Sequence, residues 1–319
     1  MIGMTRRDFG RLALTGAPLL AALSALIDSD GDLHAQAKPP AGGSGNRSFI
    51  GGVQFGLQPF CYHDLAMTPE TRPTLIRRLV QNGFGMVELH ATWVEPRFSG
   101  AGVGAEESRE RLRGWRLSTP VDDYRRVKKE FDEAGITICT YYVNINDSYT
   151  DAEVDAVFEG AKLLGAKGCV GSQGLAASKH LAGFPGRHGI FLGIHNHANL
   201  SDPDALNTEE SFVKGLAFSP DVKATLDTRH FTAANGDCIG FLERHHQRVS
   251  SVHLGDRRRN NGRSAPFGEG DSPIIEVLQM IRDNRWPIVA LLEFEHGTLR
   301  PQVEEVQLMF DYCKRAVLS

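Results

Sequence analysis

A single-domain α/β fold, the (β/α)8 or TIM barrel, is predicted by three features of the 319-residue sequence. Eight short apolar or β-branched runs alternate with seven clear helix-like segments from residue 48 to the end. Four of the later runs end in His, Asp or Glu, 26 to 40 residues apart. These are Gly193-Ile194-His195-Asn196-His197, Leu226-Asp227-Thr228-Arg229-His230, Val252-His253-Leu254-Gly255-Asp256 and Leu291-Leu292-Glu293-Phe294-Glu295. No Gly-rich fingerprint follows the first run, which counts against a dinucleotide-binding open sheet.

Residues 1–37 read as an address label. Thr5-Arg6-Arg7-Asp8-Phe9 resembles the twin-arginine export signal, Leu12 to Ile27 is largely apolar and uncharged, and Ala35-Gln36-Ala37 offers a small-x-small cleavage site. The expected location is therefore periplasmic or otherwise exported, with the twin-arginine machinery as a partner and no stable membrane insertion after cleavage. Residues 38–47, with Pro39-Pro40 and Gly42-Gly43-Ser44-Gly45, are expected to form a flexible linker, and 48–319 the catalytic barrel.

The predicted strands are Val53–Leu57, Gly85–His90, Ile136–Val143, Gly168–Gly171, Ile190–Asn196, Lys223–Asp227, Val249–Leu254 and Ile288–Glu293. Between them the helical pattern covers Thr68–Asn82, Val121–Ala134, Thr150–Leu164, Glu209–Ala217, Ile239–Arg248, Ser272–Arg285 and Gln302–Val317. Thr150 precedes Glu153 at capping-box spacing, and Pro273 suits a first helical turn. Gly83, Gly135 and Gly165 follow helical runs, where a left-handed C-cap needs glycine. Residues 172–189 leave room only for a short helix. The Arg-, Glu- and Gly-rich stretch Ala91–Pro120 is expected as a long loop on the catalytic face, either a substrate lid or an oligomer-forming decoration.

Composition excludes several classes. The apolar fraction of 41% and charged fraction of 23% are those of a globular protein. A net charge of −4, or −3 once the three Arg and four Asp of residues 1–37 are removed, gives no basic face for nucleic acid. Arg257-Arg258-Arg259 is a local basic run, either a solvated loop or an anion contact. Five scattered cysteines without a C-x-x-C indicate neither a disulfide framework nor a zinc ribbon, and Cys139 and Cys169 are expected in the core.

The four strand ends carry the chemistry. Imidazole nitrogens and carboxylate oxygens from several strands can bind a divalent ion and leave positions open for substrate. Asp227 and His253 each close a strand at a turn-like break. Glu293 is a charge inside an apolar run that needs a partner or a cation. His195 supplies the fourth ligand. His197 and Glu295 share strand faces with His195 and Glu293, and the earlier member of each pair is preferred. Phe60, Tyr62, Trp93, Tyr142 and Asn144 are expected pocket walls, Tyr62 and Asn144 as substrate contacts.

Asp227-Thr228-Arg229-His230, Val252-His253-Leu254-Gly255-Asp256, Gly268-Glu269-Gly270, Leu292-Glu293 and Val87-Glu88-Leu89 together resemble the motifs of the xylose isomerase-like sugar isomerase/epimerase superfamily, over residues 48–319. That resemblance implies one divalent ion, first Mn2+ with Mg2+, Co2+ or Zn2+ as alternatives, held by His195, Asp227, His253 and Glu293. It also implies substrate contacts from His230 and Arg259. His195 departs from it, since the epimerases carry a glutamate there that is both ligand and base.

The expected activity is isomerisation or epimerisation of a keto- or aldo-sugar through a metal-stabilised enediolate, with Glu293 as the first base and His197 or Glu88 on the other side. With one opposed carboxylate lost, a lyase or dehydratase acting on an oxidised sugar or glycoside is the runner-up. An exported carbohydrate-binding protein without turnover is a third reading, and a homo-oligomer is left open. An apurinic endonuclease would need more ligands and a basic surface. A Schiff-base aldolase would need a Lys ending a strand, whereas Lys223 begins one.

Overall fold

Eight parallel strands close on themselves in the computed structural model, which describes residues 46–98, 103–118, 120–146 and 148–319. In chain order they are β1 Val53–Leu57, β2 Met86–His90, β3 Thr137–Tyr142, β4 Gly168–Gly171, β5 Phe191–His195, β6 Val222–Asp227, β7 Val249–Leu254 and β8 Val289–Leu292. Each pairs with its sequence neighbours, and β1 closes the ring by pairing with both β8 and β2. This is the (β/α)8 barrel the alternating pattern predicts. The signal expected at 1–37 lies outside the described residues, as does the linker up to residue 45. Among the described residues no helix is long and apolar enough to cross a membrane.

The strands are short, apolar and buried on both faces, as a barrel wrapped by helices requires. Val53, Phe55, Leu57, Val87, Leu226, Val252, Leu254 and Leu292 are all fully buried. Helices α1 Arg72–Gln81, α2 Ala105–Leu117, α3 Val121–Glu133, α4 Asp151–Leu163, α5 Leu175–Leu181, α6 Pro185–His188, α7 Glu209–Leu216, α8 Thr228–Ala233, α9 Cys238–His245, α10 Ile274–Asp283 and α11 Gln302–Leu318 fill the connections. Gly83, Gly135 and Gly165 have φ of 80°, 66° and 79°, the left-handed conformation expected at these helix ends.

Three expectations need correction. Asn46 and Arg47, placed at the end of the linker, are bound to the barrel: Asn46 Nδ2 donates to Gly85 O at 2.6 Å and the Arg47 guanidinium donates to Ala134 O. The supposed loop after β2 contains α2, a helix whose anchors are charges rather than an apolar stripe. Arg116 on α2 is buried between Glu95 and Glu153, at 2.5 and 2.7 Å. The connection after β4 holds two short helices, α5 and α6, where one was expected. All five cysteines are buried and free.

Two irregularities bear on the site. Register shifts between Val87 and Glu88 against β3, and between Ala224 and Thr225 against β7. The extra residues are Cys139 on β3 and Ser250 on β7, so the bends fall on the strands that carry Thr140 and His253.

Candidate metal centre

His195 ends β5, Asp227 ends β6, His253 lies one residue from the end of β7, and Glu293 directly follows β8. Asp227 sits opposite His253 in the β6–β7 register, and Leu291 opposite His253 in β7–β8, so the four converge on one side of the C-terminal mouth. One donor atom from each of His195, Asp227, His253 and Glu293 lies within 4.8 Å of the others, and all four residues are buried. This cluster of two imidazoles and two carboxylates could hold a metal ion. The donor chemistry suits a borderline divalent ion. Nε2 of His195 is buried without a hydrogen-bond partner, 3.6 Å from Asp227 Oδ2.

Local structure fixes each ligand. Asp227 caps α8, its Oδ1 accepting from the His230 backbone N–H at 2.8 Å, which leaves Oδ2 toward His195 at 3.6 Å. Asn196 clamps the same strand end: its Oδ1 accepts from Asp227 N–H at 2.7 Å and its Nδ2 donates to Asp227 O at 3.1 Å. His253 Nδ1 lies 2.9 Å from Glu293 Oε2. Its Nε2 stands 3.0 Å from Glu88 Oε1 without the alignment of a hydrogen bond. Thr140 Oγ1 donates to the other Glu88 oxygen at 2.7 Å.

Arg229, which sequence reasoning passed over, borders the cluster. It is fully buried, with Nη2 3.0 Å from Asp227 Oδ2 and 3.6 Å from Glu293 Oε2, and Nη1 2.9 Å from Glu295 Oε2. A Cβ on Gly255 would come within 2.9 Å of Arg229 Cβ and 3.0 Å of Glu293 O, so that glycine permits the close approach. Charge in an Asp-Thr-Arg-His run normally signals solvent, so the sequence held no local cue.

These charges set the protonation states. Burial opposes ionisation of Asp227, but the Arg229 guanidinium above all holds its carboxyl well below the usual range. Glu293 is likewise penalised by burial yet held down at about 2 by Arg229 and His253. Burial disfavours the His253 cation, but Glu88 and Glu293 more than offset it and raise the group to about 10 on protein charges alone. His230 is lowered to about 3, chiefly by burial, so its ring is neutral. Glu295 is raised by burial despite Arg229.

The other expected residues divide. Glu88 and His230 border the cluster. His197 is exposed, its ring centroid 4.6 Å from that of His230. Asn144 is exposed at the end of β3, between cavities of about 340 and 310 Å3. Tyr62 is a correction: it is buried away from the mouth, its hydroxyl donating to Asn82 Oδ1 at 2.8 Å. Trp93 is buried, with Nε1 on Thr71. Arg259 is exposed, and its backbone N–H donates to Asp271 Oδ2. The arginine beside His230 is instead Arg257, with Nη1 3.3 Å from His230 Nδ1.

Comparison with known proteins bears on the fold. Residues 174–315 match the family model of the xylose isomerase-like TIM barrel. No curated protein matches the chain. A xylose isomerase domain protein from Alicyclobacillus acidocaldarius is similar in structure, at 14% identity and TM-score 0.62, over 83% of this chain and 98% of that one. A sugar phosphate isomerase/epimerase from Parabacteroides distasonis is similar at 16% identity and TM-score 0.58, over 82% and 95%. The probable 3-DHS dehydratase of Bacillus anthracis is similar at 14% identity and TM-score 0.59, over 81% and 98%. These likenesses establish the barrel, which different chemistries share.

Proposed function

We propose that the chain is a divalent-metal-dependent enzyme that isomerises or epimerises a carbohydrate by removing a proton next to a carbonyl. The observation that carries this reading is the buried convergence of His195, Asp227, His253 and Glu293 at the barrel mouth. The first expectation for the ion is Mn2+, since mixed imidazole and carboxylate donors suit it, with Mg2+, Co2+ or Zn2+ as alternatives. When bound, such an ion would polarise a substrate carbonyl and its neighbouring hydroxyl.

The remaining work falls to side chains. Glu293 is the proposed base. Arg229 and His253 keep it ionised, the form a base needs, but they also lower its basicity. A weak base demands an acidic C–H, which points to a proton flanked by a ketone. His197 and Glu88 are the proposed partners for returning the proton. Neutral His230, with Arg257 against its Nδ1, is proposed to hold a substrate oxygen. The protein is proposed to work outside the cytoplasm, on the strength of the twin-arginine-like segment at 5–9.

A lyase or dehydratase acting on an oxidised sugar is the second reading. It is favoured by His195, which supplies no carboxylate base, and by the low basicity of Glu293. Incubation with oxidised and unoxidised sugars in heavy water, with the ion supplied, separates these readings by mass spectrometry. Isomerisation incorporates deuterium into a product of unchanged composition, and elimination gives a product lighter by its leaving group. Binding without either outcome would leave a carbohydrate-binding protein. Normal turnover by metal-loaded Glu293→Gln would remove Glu293 as base.

A further inference from the structure

We propose that the Ser172 hydroxyl is a positioning group that fixes the tautomer and ring angle of His195, so that Nε2 of that ring faces the cluster as a free lone pair. This rests on the reading of His195 as a ligand. Ser172 directly follows β4, where its backbone N–H donates to Asn144 Oδ1 at 2.9 Å. Its Oγ lies 2.6 Å from the Tyr142 hydroxyl, 3.0 Å from His195 Nδ1 and 3.3 Å from His197 Nε2.

One hydroxyl thus joins three polar side chains, and proton counting leaves two arrangements. A serine oxygen accepts two hydrogen bonds and donates one. If His195 Nδ1–H and the Tyr142 hydroxyl donate to Oγ, the Ser172 proton goes to His197 Nε2 and every contact is satisfied. The reverse assignment, with Ser172 donating to His195 Nδ1 and accepting from His197, also satisfies Oγ. It leaves a proton on His195 Nε2, however, 3.6 Å from Asp227 Oδ2 and on the nitrogen that a metal ligand needs bare. A buried lone pair without a donor is as unsatisfied as a buried N–H without an acceptor, so the ion, not hydrogen-bond satisfaction, selects the tautomer. The first assignment supplies the lone pair that the ion needs.

This device belongs to the imidazole. A carboxylate ligand has no tautomer to set, whereas a histidine ligand needs its second nitrogen held by an acceptor. Tyr142 reinforces the hub: it is buried, its ring stacks on His90, and its centroid lies 6.3 Å from that of His195.

The test uses the full chain with 15N-labelled histidine and Co2+ as probe. Wild type is expected to show His195 in a single tautomer without metal, and a saturable Co2+ absorption spectrum. Ser172→Ala should mix the tautomers and weaken Co2+ binding about 10- to 100-fold, with the melting temperature little changed. Ser172→Thr, which restores the hydroxyl, should recover most of both. An unchanged tautomer and Co2+ affinity within twofold in Ser172→Ala would overturn the proposal, as would a failure of threonine to restore either. A wild type that takes up no Co2+ would sink the metal reading; the tautomer change in Ser172→Ala would still support the role of Ser172.

Discussion

Nη2 of Arg229 lies 3.0 Å from Oδ2 of Asp227, so a buried guanidinium directly neighbours one of the four candidate metal ligands. The same nitrogen is 3.6 Å from Glu293, and Nη1 is 2.9 Å from Glu295. Three carboxylates therefore share one fixed cation. Arg229 partly neutralises the cluster, which limits mutual repulsion of its acids before any ion binds.

Removing that cation should expose the repulsion. Arg229→Met is expected to destabilise the metal-free protein by about 3 kcal/mol or more, the usual cost of stripping one partner from a buried pair. Added Mn2+ should then raise the melting temperature of the variant by more than it raises that of wild type. Equal shifts in thermal unfolding with and without Mn2+ would contradict the electrostatic role of Arg229.

Glu153 on α4 ties the α2 segment to the barrel wall through Arg116 at 2.7 Å and Arg109 at 2.6 Å. Burial raises the Glu153 carboxyl, but hydrogen bonds from Arg109 and Arg116 outweigh it and the net shift is downward. A depressed folded value means that this stability is fully present above the unfolded value and is lost as pH falls through the folded one. Glu153→Gln should therefore cost about 3 kcal/mol at pH 7, and the gap to wild type should narrow in strong acid. Urea melts across that range check the sign; a gap that widens toward low pH would refute it.

Asp256 organises the loop after β7. Its carboxylate accepts from the backbone N–H groups of Gly268, Gly270 and Ser272 at 2.8, 2.9 and 3.1 Å. A Cβ on Gly270 would fall 2.0 Å from Asp256 Oδ1, which accounts for glycine in the Gly268-Glu269-Gly270 motif. Asp256→Ala is expected to cost about 2 kcal/mol and to speed amide exchange at 268–272 selectively. Unchanged exchange there would show that the carboxylate does not hold the loop.

The barrel was legible because its signals are local and repeated. Apolar runs, helix periodicity and glycine caps recur along the chain, and the strand ends of β5, β6, β7 and β8 carry polar residues in plain view. Thr150 illustrates the limit. Its hydroxyl caps α4 by accepting from Glu153 N–H at 3.3 Å, yet the Glu153 side chain turns to Arg109 and Arg116 instead of closing a capping box. Helix α2 escaped for a related reason: buried ion pairs replace the apolar stripe by which a helix is recognised. Tyr62 turns to Asn82, and Arg257 lies beside His230, because an aromatic or basic side chain near a strand end can turn either way. Ser172 carries no sequence signal; only the meeting of β3, β4 and β5 reveals it.

The most direct measurement is anomalous diffraction at the manganese edge from crystals grown with Mn2+. One peak, within coordinating distance of His195, Asp227, His253 and Glu293 and lost in Asp227→Asn, is the predicted result. No peak there, or a peak bound by other residues, would contradict the proposed metal centre.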